Sequence, residues 1–180
     1  AWIIADGRRG RLERIDWQGQ HYARKIYRVT SPASLQPFLG LVPGLFRWGR
    51  ARRSWQSMQR GMHSGLPLPE PVALQEQTDG ATLICSWITG EPLHHWHARS
   101  LQKQWKPVDE FRFARWIGSE LKRALAGGLN TRDLAPHNVL IDGPPEGPWK
   151  LGIVDLDDSR VGSPPARQRV LHSLAQIGHL

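Results

Sequence analysis

The chain has 180 residues, 39% of them hydrophobic and 22% charged, a balance that suits one folded domain or two small lobes and excludes collagen-like, low-complexity and wholly disordered chains. The formal net charge is +8, and it is unevenly placed: residues 1–60 hold 12 Lys and Arg against Asp6, Glu13 and Asp16, while residues 61–180 are close to neutral. No apolar run reaches the ~18 residues of a membrane span, no signal peptide is visible, and a lone Cys85 excludes an internal disulfide and suits a reducing compartment.

In chain order, Trp2–Ala5, Arg11–Asp16 and His21–Val29 read as strands of an antiparallel meander, separated by the turn signals Asp6–Gly10 and Gln18–Gln20. The Pro/Gly-rich stretch Ser31–Gly49 is too irregular to assign. Trp48, Ala51, Trp55, Met58 and Met62 then recur at intervals of three and four, the apolar stripe of a helix that runs to His63. Prolines 67, 69 and 71 end it. Val72–Gln77 and Ala81–Ile88 form a hairpin around Thr78-Asp79-Gly80. Val108–Ala126 is the longest helical signal, with Phe113, Ile117, Leu121 and Ala124 on one face and Gly127-Gly128 as its stop. Two short strands follow, Val139–Ile141 and Leu151–Val154, and Pro165–Leu180 is predicted as a terminal helix.

The residues that carry chemistry lie between these last elements. In Arg132-Asp133-Leu134-Ala135-Pro136-His137-Asn138, an Asp and an Asn five apart precede an apolar strand. That spacing can aim a carboxylate at a hydroxyl nucleophile and an amide oxygen at a metal. The next strand runs into Asp155-Leu156-Asp157, where Asp155 is a hard oxygen ligand of the kind Mg²⁺ requires. Asp157 is a metal ligand, a supporting residue or a plain turn carboxylate. Upstream, alternation in Tyr22-Ala23-Arg24-Lys25 places Ala23 and Lys25 on one strand face.

The joint pattern resembles the catalytic loop and metal-binding turn of the protein-kinase-like fold. More narrowly, Tyr22–Tyr27, Gly65–Ala73, Arg132–Ile141 and Ile153–Asp158 resemble the bacterial lipopolysaccharide kinases that phosphorylate Kdo or heptose. The resemblance implies an α+β, two-lobed fold: an antiparallel-sheet N-lobe with one helix over residues 1–90, binding nucleotide, and a short, mainly helical C-lobe over 91–180 with the catalytic loop and metal turn. It implies ATP and Mg²⁺ as cofactors. Asp133 is then the catalytic base, Lys25 reaches the phosphates, Ala23 roofs the adenine, and Asn138 and Asp155 hold the metal with Asp157 close by. Gly7 and Gly10 stand where a phosphate-covering loop belongs. Only 22 residues follow Asp158, which leaves no room for a peptide-binding helical subdomain and implies an acceptor smaller than a protein.

Two departures from the family pattern stand out. Ser54 occupies the position of the glutamate that pairs with the phosphate lysine, leaving Gln56, Gln59 or another arrangement to hold Lys25, and Thr131 replaces the histidine that braces the catalytic loop. The expected acceptor is a lipopolysaccharide precursor or similar anionic saccharide. Localisation is read as cytoplasmic, with peripheral contact at an anionic inner-membrane surface through Arg47, Arg50, Arg52, Arg53 and Arg60. The rivals are a small-molecule kinase of aminoglycoside or choline kinase type and a nucleotide-binding pseudokinase. His94, His95 and His97 lack the further ligands of a zinc site. The nine Trp read as core packing, and no nucleic acid partner is expected.

Overall fold

A computed structural model describes residues 1–7, 10–28, 49–77, 80–102, 105–162 and 164–178. Three strands open the chain, β1 (Trp2–Gly7), β2 (Gly10–Trp17) and β3 (Gln20–Arg28), followed by helix α1 (Gly49–His63) and the hairpin β4 (Pro71–Glu76) and β5 (Gly80–Ser86). Together the strands form one antiparallel sheet in the order β1-β2-β3-β5-β4. Residues directly opposite across an antiparallel pair share a face. The pairs Ala23↔Cys85, Lys25↔Leu83 and Tyr27↔Ala81 therefore set the face that meets the rest of the molecule, and Ala81, Leu83 and Cys85 are all buried there. Arg24 points to the other face, where it and Arg11 pair with the buried Glu13.

The expected strand and helix limits hold to within a few residues. The tip of the first turn, Arg8 and Arg9, lies outside the described residues, as do 29–48, including the irregular Pro/Gly stretch short of Gly49, and Thr78-Asp79 of the hairpin turn. The stripe on α1 differs from the expected one. Ala51, Ser54, Ser57, Met58 and Gly61 are the buried residues, whereas Trp55 is half-buried and Met62 half-exposed. The physical reason is close approach: a Cβ on Gly61 would stand 2.3 Å from the Leu68 side chain, and both buried serines find hydrogen-bond acceptors across the interface.

The second half contains β6 (Glu91–Pro92), α2 (Leu93–Leu101), α3 (Pro107–Ala126), β7 (Leu129–Thr131), a single 3₁₀ turn Pro136–Asn138, β8 (Val139–Asp142), β9 (Lys150–Ile153), β10 (Ser159–Val161) and α4 (Arg167–Gly178). Strands β6, β8 and β9 make one small sheet, β7 and β10 another. The core here is aromatic. Phe113 stacks on Trp96 at 5.1 Å and meets Trp105 and Trp149 edge-on at 5.0 and 5.4 Å, arrangements that add to plain area burial. Trp2 and Trp17 stand apart from this core, exposed on the first sheet. Gly128 ends α3 with φ +94°, and a Cβ there would lie 1.8 Å from the Gly162 carbonyl oxygen, so only glycine fits. The two halves are stitched directly: the Ile153 N–H donates to the Pro67 carbonyl at 2.8 Å, and Leu66 and Leu68 share a core with Leu134, Val139 and Ile153.

Candidate active site

Strand β3 and the turn after β9 place three charges together. Lys25 Nζ donates to Asp155 Oδ1 at 2.6 Å and to Asp157 Oδ1 at 2.7 Å. The same Asp157 oxygen accepts from the Tyr27 hydroxyl at 2.8 Å and from Ser54 Oγ at 3.0 Å. Burial works against the Lys25 charge, but the attraction of Asp157 and then Asp155 outweighs it, and the ammonium titrates above its ordinary value. Burial likewise works against the Asp157 carboxylate, yet Lys25 and the hydroxyls of Tyr27 and Ser54 hold it below the usual carboxylate range. Burial, reinforced by Asp157, drives the Tyr27 phenol well above its ordinary value, so it stays protonated and serves as a donor. Cys85, paired with Ala23 across the strands, is pushed up to about 11 by burial, against a smaller pull from Lys25.

Asp155 sits at φ +54°, a left-handed conformation that Asp tolerates better than most residues. Its side chain is 45% exposed, against 20% for Asp157. The structure brings Lys25, Asp155 and Asp157 together, where the sequence leaves open how the lysine is held. Gln56 and Gln59 do not hold it; both are exposed and line an open groove of about 710 Å³ between α1 and β4.

The loop before β8 is built from backbone hydrogen bonds. Asp133 is exposed, and its N–H donates to Thr131 Oγ1 at 3.1 Å. Thr131, itself 2% exposed, thus braces the loop from the position where a histidine was expected. Asn138 is buried; its amide nitrogen donates to the Asp133 carbonyl at 3.2 Å, which directs the amide oxygen away from that carbonyl. The Val154 N–H donates to the Asn138 carbonyl at 2.9 Å, tying the loop to the strand that carries Asp155.

Two residues of this loop's support were not read from the sequence. Gln176, on α4, accepts from the Leu134 N–H at 3.0 Å and donates to the Arg132 carbonyl at 3.0 Å, so a single primary amide brackets Asp133 on both sides. Ser173, one turn earlier and fully buried, donates to the Thr131 carbonyl.

Among the expected cofactor contacts, Ala23 lies on the inner sheet face in line with Lys25, and Gly7 and Gly10 face each other where β1 passes into β2. The donor set suits magnesium. Among the described residues no cluster of three or more His, Cys, Asp and Glu is poised on a metal, but two carboxylates and an amide are what Mg²⁺ takes from a protein when phosphate oxygens complete its shell. The helix arginines are less free than their number suggested. Arg52 makes a paired contact with Glu76, Arg53 reaches the Asp157 carbonyl and Asp158, and Arg60 reaches the Val161 carbonyl.

Residues 91–165 match the model of the phosphotransferase enzyme family, APH. No curated protein matches the chain in sequence. Among solved structures, WaaP in complex with acyl carrier protein superposes with a TM-score of 0.72 and 16% identity, covering 98% of this chain and 69% of that one. The superposition gives the chain an α+β, kinase-like fold, and the likeness in sequence to phosphotransferases is confined to residues 91–165.

Proposed function

We propose that the chain transfers the γ-phosphate of ATP to a sugar hydroxyl of the lipopolysaccharide inner core, on Kdo or heptose. The observation that carries this is the meeting of Lys25 with Asp155 and Asp157 at 2.6 and 2.7 Å beside a loop that leaves the Asp133 carboxylate exposed and free of side-chain ion pairs among the described residues. When bound, Mg-ATP supplies the phosphoryl group and the positive charge that offsets its oxygens. Lys25 binds and orients the phosphates, Ala23 leaves room for the base, and Gly7 and Gly10 carry the turn that covers the phosphates. Asn138 and Asp155 hold the metal, with Asp157 as the third candidate. Asp133 orients the acceptor hydroxyl and takes its proton as the oxygen attacks. The nucleotide side falls within residues 1–90 and the loop side within 91–180.

A cytoplasmic site at the face of an anionic membrane, where such an acceptor resides, suits a chain of net charge +8. No helix among the described residues is long and apolar enough to cross a bilayer. Because WaaP is seen with acyl carrier protein, a carrier-protein partner belongs to the proposal as well. The APH match over 91–165 supports one second reading, a kinase of small soluble alcohols.

A transfer assay with labelled ATP decides between them. Phosphate should appear on lipopolysaccharide core acceptors with the wild-type chain and not with Asp133→Asn. Transfer to an aminoglycoside or choline, with none to core oligosaccharide, would replace the proposal by the second reading.

A further inference from the structure

Kinase-like folds anchor the phosphate lysine with a glutamate from the helix of the N-lobe. Helix α1 has no Asp or Glu anywhere in its 15 residues, so the anchor must come from elsewhere. Two carboxylates touch Lys25, and their surroundings differ. Asp155 is 45% exposed, and Lys25 is its one side-chain partner among the described residues. Asp157 is 20% exposed, and one of its oxygens gathers three donors: Lys25 at 2.7 Å, Tyr27 at 2.8 Å and Ser54 at 3.0 Å. Its backbone is fixed too, since Arg53 Nε donates to the Asp157 carbonyl at 3.2 Å.

A carboxylate held by three donors from β3 and α1 is pre-organised and costly to move, whereas one with a single exposed donor can swing toward a cation. From this asymmetry we infer that Asp157 is a positioning residue that takes the place of the missing helix glutamate, and that Ser54 passes the link on to α1. The division is then clear. Asp155 serves the metal, and Asp157 keeps Lys25 in place when Asp155 turns away. Helix and lysine remain coupled, through a hydroxyl and a carboxylate in series where other kinases use one ion pair. Ser54 is small because the carboxylate that it meets arrives from the opposite side, on the turn after β9.

The inference rests on the reading that Lys25 binds the phosphates, and the experiment separates the two. The readout is the thermal shift of the full chain with ATP, titrated with Mg²⁺. Lys25→Ala should lose most of the shift. Asp155→Asn should raise the Mg²⁺ concentration at half-effect by at least ~10-fold, as loss of a direct ligand does. Asp157→Asn should reduce the ATP shift yet keep the Mg²⁺ midpoint within ~2-fold, and it should lower the unliganded Tm by ~2–4 °C, the shift that a typical single-site loss gives in a chain of this length. Ser54→Glu in the Asp157→Asn background should restore the ATP shift by returning the anchor to the helix. If Asp157→Asn proves too unstable to study, Ser54→Ala carries the same test, with a smaller ATP shift, an unchanged midpoint and non-additivity with Lys25→Ala.

A Mg²⁺ midpoint that moves with Asp157→Asn as it does with Asp155→Asn makes Asp157 a metal ligand and overturns the inference. Absence of rescue by Ser54→Glu overturns the helix link. An ATP shift indifferent to Lys25→Ala sinks the phosphate reading itself.

Discussion

The two sides of this site are held by different forces. On the proposed nucleotide side, Lys25, Asp155, Asp157, Tyr27 and Ser54 are joined side chain to side chain, from three elements, with charge at the centre. On the proposed acceptor side, Asp133 is placed without any charge: Thr131, Asn138 and Gln176 bond the backbone of the loop around it, and the carboxylate itself is left to solvent. The difference suits what each group would do in the proposed transfer. A lysine that meets phosphates can be held by an opposite charge, because incoming phosphate oxygens and metal replace that partner in kind. A base paired with a cation would lose basicity, so a base is better held by neutral amides that fix its backbone and leave its charge alone.

The sharpest way to break this contrast is at the base. Asp133→Asn keeps size and hydrogen bonding but cannot take a proton, so kcat should fall by ~10² to 10⁴ with ATP affinity and Tm unchanged; unaltered turnover would take Asp133 out of the mechanism. On the charged side, Asp155→Asn should abolish most of the Mg²⁺-dependent stabilisation by ATP, which at a hundredfold excess over Kd amounts to ~2.7 kcal/mol. Its unliganded Tm should barely move, because Asp155 is exposed. A smaller loss should follow at the neutral clamp. Gln176→Ala frees the Leu134 N–H and the Arg132 carbonyl, and kcat should fall by roughly ~10-fold with the KM for ATP unchanged, as expected when a reacting group is misplaced but not removed. Gln176→Glu should be as poor or poorer, since a carboxylate can accept from Leu134 but has nothing to donate to the Arg132 carbonyl. Equal losses in kcat and ATP affinity would mean that α4 supports the whole fold and not the loop.

The two sides were also unequally legible. Lys25, Asp133, Asn138 and Asp155 are singled out by local spacing, because each proposed role calls for a residue type at a set distance from a strand end. The supports are found poorly, because they act across long separations: Gln176 lies 42 and 44 residues from its partners, and no periodic signal marks it. The helix stripe misled for a related reason. Ser54 and Ser57 look like the polar face of α1, yet their hydroxyls meet Asp157 and the Ser159 carbonyl, partners supplied from over 100 residues away. Arg52, Arg53 and Arg60 of α1 look like free surface charge until Glu76, Asp158 and the carbonyls of Asp157 and Val161 are placed beside them. Strands β6, β7 and β10, of two or three residues each, are too short to show alternation at all.

Salt gives the gentlest test of the contrast, and it needs only thermal melts. Between 0.05 and 0.5 M ionic strength the screening length shrinks from about 14 to about 4 Å, so exposed charges stop sensing one another while neutral hydrogen bonds are indifferent. The lysine cluster is intermediate, with Lys25 27% exposed and its partners 45% and 20%, so its net contribution is of the order of ~1 kcal/mol and only part of it is screened. The Tm difference between wild type and Lys25→Met should therefore shrink by up to about half as salt rises, with the exposed Asp155 arm weakening before the Asp157 arm. The difference between wild type and Gln176→Ala should stay constant over the same range, because both of its hydrogen bonds join uncharged groups. A Gln176→Ala effect that fades with salt would mean that the loop depends on charge after all, through neighbours such as Arg132. A Lys25→Met effect that is wholly flat would place the lysine cluster in a more water-excluded setting than its exposures indicate, and would bring the two sides under one physical regime.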